Sequence, residues 1–314
     1  MRCTAALCNE KNMPSQSNAV SESFQAQSVA PAAISPTRAL YWSVRRELWE
    51  YRSLYLAPLA VAGVTLLGFL IASLGRALTT QDMAQRRAVL EEPGTFAALL
   101  IMLTTFIVAV FYCIDALHGE RRDRSILFWK SLPVSDLTTV LAKASIPLVV
   151  LPLITFAITI AMQWIMLLVS TAVLMGSGLS VRTLWIHSSE MWIGLLYHLL
   201  AIHGLWYAPI YAWLLLVSAW ARRAAFLWAF LPPLAIGAVE KIAFNTSHFG
   251  AMLMYRLGDS AAGVAFTASS VSMDPLMHLT PGKFLATPGL WIGLAIAAAF
   301  LAAAVRLRRN QGPI

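Results

Sequence analysis

Charge is scarce in this chain: Asp, Glu, Lys and Arg make up 12% of its 314 residues, where a soluble domain carries about 25%. With 59% hydrophobic residues there is too little polar surface to cover a water-soluble core, so a soluble fold is excluded. Cysteine is nearly missing as well. Cys3, Cys8 and Cys113 form neither a CxxC pair nor a disulfide framework, and the redox compartment is not written in the sequence. A phosphate-binding loop is also lacking, because Pro281-Gly282-Lys283-Phe284 has Phe where a Walker motif needs Ser or Thr to reach magnesium. No GxSxG elbow occurs, and no carboxylate pair sits inside an apolar run to serve as acid and base. The chain therefore has no nucleotide-hydrolysing site of its own and no residues for a membrane-embedded hydrolase.

What the sequence does have is long apolar runs. A bilayer core needs about 20 apolar residues per crossing helix, and six runs meet that length: Leu54 to Leu74, Thr95 to Ala116, Lys143 to Met175, Met191 to Trp220, Ala224 to Ala243, and Pro288 to Val305. Their length and lack of alternation call for helices, not the short alternating strands of a membrane barrel. The expected fold is an all-α polytopic membrane protein with six transmembrane helices. Lysine and arginine set its orientation. With the N-terminus inside, the inner segments hold Arg38, Arg45, Arg46, Arg52, Arg121, Arg122, Arg124, Lys130, Lys143, Arg222, Arg223, Arg306, Arg308 and Arg309. The outer ones hold Arg76, Arg86, Arg87, Arg182, Lys241, Arg256 and Lys283. Both termini are accordingly placed in the cytoplasm, and the net charge of +8 is explained by basic loops beside an anionic leaflet. Nucleic acid is not needed as a partner.

Between the runs, local signals are legible. Residues 1–37 are rich in Ser, Ala, Gln and Asn and read as a disordered tail; residues 310–314 form a short C-terminal tail. From Arg38 to Arg52, Leu40, Val44, Leu48 and Tyr51 share a helical stripe with Tyr41 beside it, opposite Ser43, Arg46, Glu47 and Glu50. Trp42, Trp49 and the flanking arginines suit a headgroup zone, so this segment reads as a helix lying on the inner leaflet. The third run is too long for the hydrocarbon, and Pro147 and Pro152 can bend it, as Pro209 can the fourth and Pro232-Pro233 the fifth. His198 and His203 share the fourth run, but five residues put them about 140° apart on an α-helix, which disfavours a metal site. Asp115, Glu190, Glu240 and Lys241 all fall near run ends, where helix anchoring explains them as well as ion transport does. The segment 244–287 is too polar to cross and reads as re-entrant or surface-lying pieces capping the outer end.

The segment Gly119 to Ala144, "GERRDRSILFWKSLPVSDLTTVLAKA", is a basic-acidic cluster followed by a short apolar tip. Ser125 to Leu132 has the length of one short helix, Pro133 stops it, and Ser135 or Asp136 can cap the helix that follows. Such an element can lie on lipid or enter a groove on a partner. Its order of charged cluster, Ser-Ile-Leu-Phe, Ser-Leu-Pro-Val-Ser and later Lys143 resembles the segment between the second and third spans of ABC-2 type exporter permeases. Six spans, the surface helix and the long outer segment extend that resemblance loosely across residues 38–309.

The resemblance implies a fold and a role. The segment would be a cytoplasmic coupling helix seated in a separate ABC ATP-binding subunit, which holds the ATP and magnesium; this chain would need no cofactor. Glu120, Arg121 and Arg124 would supply rim contacts, and Leu127, Phe128 and Trp129 the anchor, within a contact running from Ile126 to Leu132. A second permease copy, identical or a related half, would complete a pathway through the bacterial inner membrane. The other reading of the composition is an ion-driven secondary transporter or polytopic membrane enzyme. The substrate is not encoded in any motif, and no substrate residue is assigned.

Overall fold

The computed structural model describes residues 35–79, 83–131, 134–175, 192–259 and 284–310, and no strand occurs among them. The expected tail falls outside the described residues. The helices are α1 (Pro36–Glu50), α2 (Ser53–Thr79), α3 (Met83–Asp115), α4 (His118–Arg122), α5 (Ser125–Ser131), α6 (Asp136–Ser145) and α7 (Leu151–Met175). After them come α8 (Trp192–Trp206), α9 (Ala208–Trp220), α10 (Ala225–Phe244), α11 (His248–Met254) and α12 (Pro288–Asn310). Five helical stretches are long and apolar enough to cross a membrane: Ser53–Ser73, Phe96–Arg122, Asp136–Ala172, Ala225–Phe244 and Pro288–Asn310. A sixth arises if α8 and α9, bent 46° to one another, count as a single broken span. The chain is thus a helical integral membrane protein.

Proline shapes the backbone bonding of these spans. The third span is continuous from α6 to α7, but a π-helical segment, Ile146–Val150, joins them, with Pro147 at its start. There Leu151 donates its N–H five residues back to the Ile146 carbonyl, the bonding of a π-turn. Pro152 has no N–H to return to the Leu148 carbonyl. That carbonyl faces Gly204, where a Cβ would lie 2.7 Å from it, so glycine is what lets the two backbones approach. Gly204 belongs to a second π-helical stretch, Leu199–Trp206, which forms the last part of α8. The break follows at Tyr207, and Pro209 then occupies the first turn of α9, where its missing N–H costs nothing.

In α10 the pair Pro232-Pro233 is accommodated inside a continuous helix. Pro233 leaves the Ala229 carbonyl without its helical donor, and the Trp213 indole of α9 donates to it at 3.1 Å. Inside a membrane such a replacement donor is what makes an internal proline tolerable.

The core is built on α9, which packs along α12 and against α3. Tyr112, Cys113, Ile146, Leu151, Tyr211 and Leu215 are buried there. A second cluster, Ala62, Phe69, Ala97, Ile101, Met162 and Met166, holds α2, α3 and α7 together. Beside it the Thr105 and Thr155 hydroxyls bond across α3 and α7 at 2.8 Å. By contrast α10 leaves Leu227, Leu231, Leu234 and Ile242 exposed, a surface suited to lipid.

Candidate functional site

The element with the apolar tip is α5, seven residues long. It is set off from α4 by Arg124, whose φ of 57° lies in the left-handed region. Helical bonding cannot run through that residue, so α4 and α5 are separate pieces. Ser135 caps α6 by accepting from the Thr138 N–H, as expected of one of the two candidates. The other, Asp136, is used differently.

The tip divides sharply by burial. Leu127 is 58% and Phe128 61% exposed, whereas Ile126 is 1% exposed and forms the root of α5 inside the chain. Trp129 is half-buried, packed edge-on against Phe128 and covered by the Arg46 guanidinium 3.7 Å from its ring centre. Arg124 is exposed. Leu132 and Pro133 lie outside the described residues.

Glu120 and Arg121 differ from the rim role expected of them. Glu120 is buried, and its carboxylate is held on both oxygens: Arg46 donates to Oε1 at 2.6 Å, Lys143 lies 3.1 Å from the same oxygen, and Arg308 donates to Oε2 at 2.6 Å. Arg121 is buried too, donating to the Ala219 and Ala221 carbonyls at the C-terminal end of α9. Cations belong there, because the last carbonyls of a helix lack intrahelical donors. Ser218 reinforces this contact by accepting from the N–H groups of Leu117 and His118.

Around Glu120 the ions form a closed set. Lys143 donates to Glu47 at 2.9 Å, Arg46 reaches Glu47 at 3.0 Å and Glu50 at 3.3 Å, and Arg308 bonds Asp136 at 3.1 Å. Tyr112 donates to the second oxygen of Glu47 at 2.9 Å. Lys143, Glu47, Glu120 and Arg308 are all at most 5% exposed. Burying one of these alone would be prohibitive. Arg46, Lys143 and Arg308 face Glu47, Glu120 and Asp136, with the exposed Glu50 on the solvent side of Arg46, and this pairing is the condition for keeping the buried charges inside.

Burial on its own would lower the Arg46 pKa, but the Glu47 and Glu120 carboxylates outweigh it and raise it above the ordinary value. Nearby, the Tyr51 phenol donates to Asp115 at 3.1 Å, and burial together with that carboxylate pushes its pKa up, so it stays a donor. The set joins α1, α4, α6 and α12. It is the mount on which α5 stands.

Sequence reasoning missed this mount. Glu47 was expected on the polar face of α1, yet it is the most buried residue of that helix and points at Lys143, beside Val44, Leu48 and Tyr51, which pack on the core. Lys143 itself was the available signal, since a lysine opening an apolar run demands a counter-ion. The sequence could not name that counter-ion.

The histidine pair also differs from expectation. His198 and His203 lie about a π-helical stretch, where residues five apart stack instead of diverging, and their rings are 6.2 Å apart. Both are buried. No group of three or more His, Cys, Asp or Glu that could hold a metal occurs among the described residues.

At the far end of α12, the expected re-entrant segment is partly described. Asn245, at φ 51°, ends α10, and the Glu240 carboxylate reaches on to accept from the His248 and Phe249 N–H groups that open α11. The π-helical turn Tyr255–Asp259 follows. Arg256 stacks over Trp206 at 4.3 Å, donates to the Trp206 carbonyl at 3.0 Å and also to the Gly289 carbonyl. The Trp206 indole returns a bond to the Arg256 carbonyl at 3.1 Å. Burial lowers the Arg256 pKa below the ordinary guanidinium value. Its tip occupies the space a Cβ on Gly293 would need.

Comparison with known proteins adds no name: no family model, no curated protein and no solved structure matches this chain.

Proposed function

We propose that the chain is the permease subunit of an ATP-driven exporter of the ABC-2 type, and that α5 is its coupling helix. In this reading α5 seats in a separate ATP-binding subunit that carries ATP and magnesium. The observation that carries it is the contrast within one short helix. Leu127 and Phe128 stand exposed at its tip, while its root is fixed by Ile126 and by the ion set around Glu120. Large apolar side chains on a rigid support are what an interface anchor requires.

The mount gives the mechanism. Closure of the ATP-binding subunit pushes on Leu127 and Phe128, with Arg124 at the rim. Trp129, held under Arg46, passes the displacement to α1. Glu120 passes it to α6 and α12, and Arg121 to α9. The four move together because separating any one of them would strand a buried charge. Two copies of the chain, each supplying six spans, enclose the pathway, which shifts toward its outward-open state. Both termini lie in the cytoplasm, and the membrane is the bacterial inner membrane.

The test uses the full chain in its own membrane. Affinity purification recovers an ATP-binding cassette subunit with the wild type, and the double variant Leu127→Ala/Phe128→Ala reduces that recovery at least ~10-fold, the effect of about 1.4 kcal/mol. Its melting temperature in detergent stays unchanged, because both side chains are exposed. If the wild type brings down no ATP-binding cassette subunit, the exporter reading fails. If the double variant retains full recovery and full transport coupling, α5 is not the anchor.

A further inference from the structure

The outward face of α1 takes no part in the ion set. Arg38, Trp42, Arg45 and Trp49 fall within an arc of about 60° at 100° per residue, and Arg52 follows just after the helix ends. Trp42 is 53% and Trp49 67% exposed. Between them sits Arg45, its guanidinium carbon 5.1 Å from one ring centre and 4.9 Å from the other. The acids of α1 are turned elsewhere: Glu47 lies on the opposite side facing Lys143, and Glu50 pairs with Arg46. The stripe is therefore cationic and aromatic without a carboxylate of its own.

Its level is set covalently. The first span begins at Ser53, three residues after α1 ends, which keeps the Arg45–Trp49 end of the stripe near the boundary between hydrocarbon and water. Indoles favour that zone, and the guanidinium of an arginine is a planar fork of N–H donors that fits phosphate oxygens.

We propose that this stripe is a binding surface for anionic phospholipid headgroups, with Arg45 making the phosphate contact. Lipid is the occupant because the stripe lies at the membrane boundary, is a single helix wide, and pairs cations with the aromatic residues that headgroups accept. The inference needs only that the chain spans a membrane; it is independent of any ATP-binding partner, and its test uses none.

The full chain is reconstituted in vesicles of equal phosphatidylglycerol and phosphatidylcholine with matched acyl chains, then released for native mass spectrometry of the lipid it retains. The wild type keeps phosphatidylglycerol preferentially. Arg45→Gln lowers the ratio of the two retained lipids at least ~3-fold, Arg45→Lys lowers it less because charge persists without the fork, and melting temperature is unchanged in both. No enrichment in the wild type, or the same ratio in Arg45→Gln, overturns the proposal. Displacement of the lipid by excess inorganic phosphate also overturns it, since that marks a free-anion site. A photo-crosslinking residue at position 49 yields lipid adducts; adducts to protein instead reject the lipid assignment.

Discussion

Helix α12 ends in two different kinds of contact, about 28 Å apart along its axis at 1.5 Å per residue. At its C-terminal end Arg308 enters a largely buried set of paired ions, shared by four helices. At its N-terminal end the Gly289 carbonyl accepts from Arg256, which also donates to the Trp206 carbonyl and stacks on its indole. The first arrangement is mutual, because each charge removed leaves its opposites unsatisfied. The second joins Arg256 to two carbonyls and an indole face, contacts each weaker than a buried ion pair. The Arg308 end of α12 is therefore tied by ions, and a displacement that enters there is carried along the helix.

The largest effect expected from this comparison is at Glu120. Glu120→Ala leaves Arg46, Lys143 and Arg308 without their shared partner, and breaking such a buried pair costs about 3–5 kcal/mol. A steep fall in melting temperature in detergent checks it. Little change would mean that water reaches this set and that it is not a stiff mount.

Arg256→Met is the counterpart at the other end. It removes two hydrogen bonds to carbonyls but keeps an apolar chain beside Trp206, so a loss of about 1–3 kcal/mol is expected. The sharper measurement is local: a cysteine placed at Tyr255 becomes more reactive to a water-soluble thiol reagent in Arg256→Met, while one placed at Leu127 does not change. Equal changes at both positions would erase the distinction between the ends.

Gly293→Ala is the mildest. The added methyl meets the tip of the Arg256 side chain, which can swing aside, so the cost stays below about 1 kcal/mol, under the usual range for overpacking. Reactivity of the same cysteine at Tyr255 rises slightly. A drop in stability as large as that of Glu120→Ala would show that Arg256 is held rigidly after all.

Much of the fold could be read from residues near one another in the chain. Pro147 and Pro152 marked the π-helical segment of the third span, Pro209 the break between α8 and α9, and Ser135 the start of α6. The site was legible only in outline. Leu127 and Phe128 are exposed on a short helix, but Ile126, Glu120 and Arg121 look the same in the sequence and turn inward. The histidines misled because a 100° step was assumed, and that step does not hold through a π-helical stretch.

The sequence by itself determined that this is a helical membrane protein, roughly where its helices cross and bend, and that a charged segment with an apolar tip follows the second span. Those properties depend on hydropathy and on prolines acting over a few residues. Tertiary structure alone decided which charges meet. Glu47 and Lys143 are 96 positions apart and Glu120 and Arg308 are 188 apart, and a buried ion is stabilised by whatever stands within a few ångströms in space, a neighbourhood that no local pattern in the chain specifies.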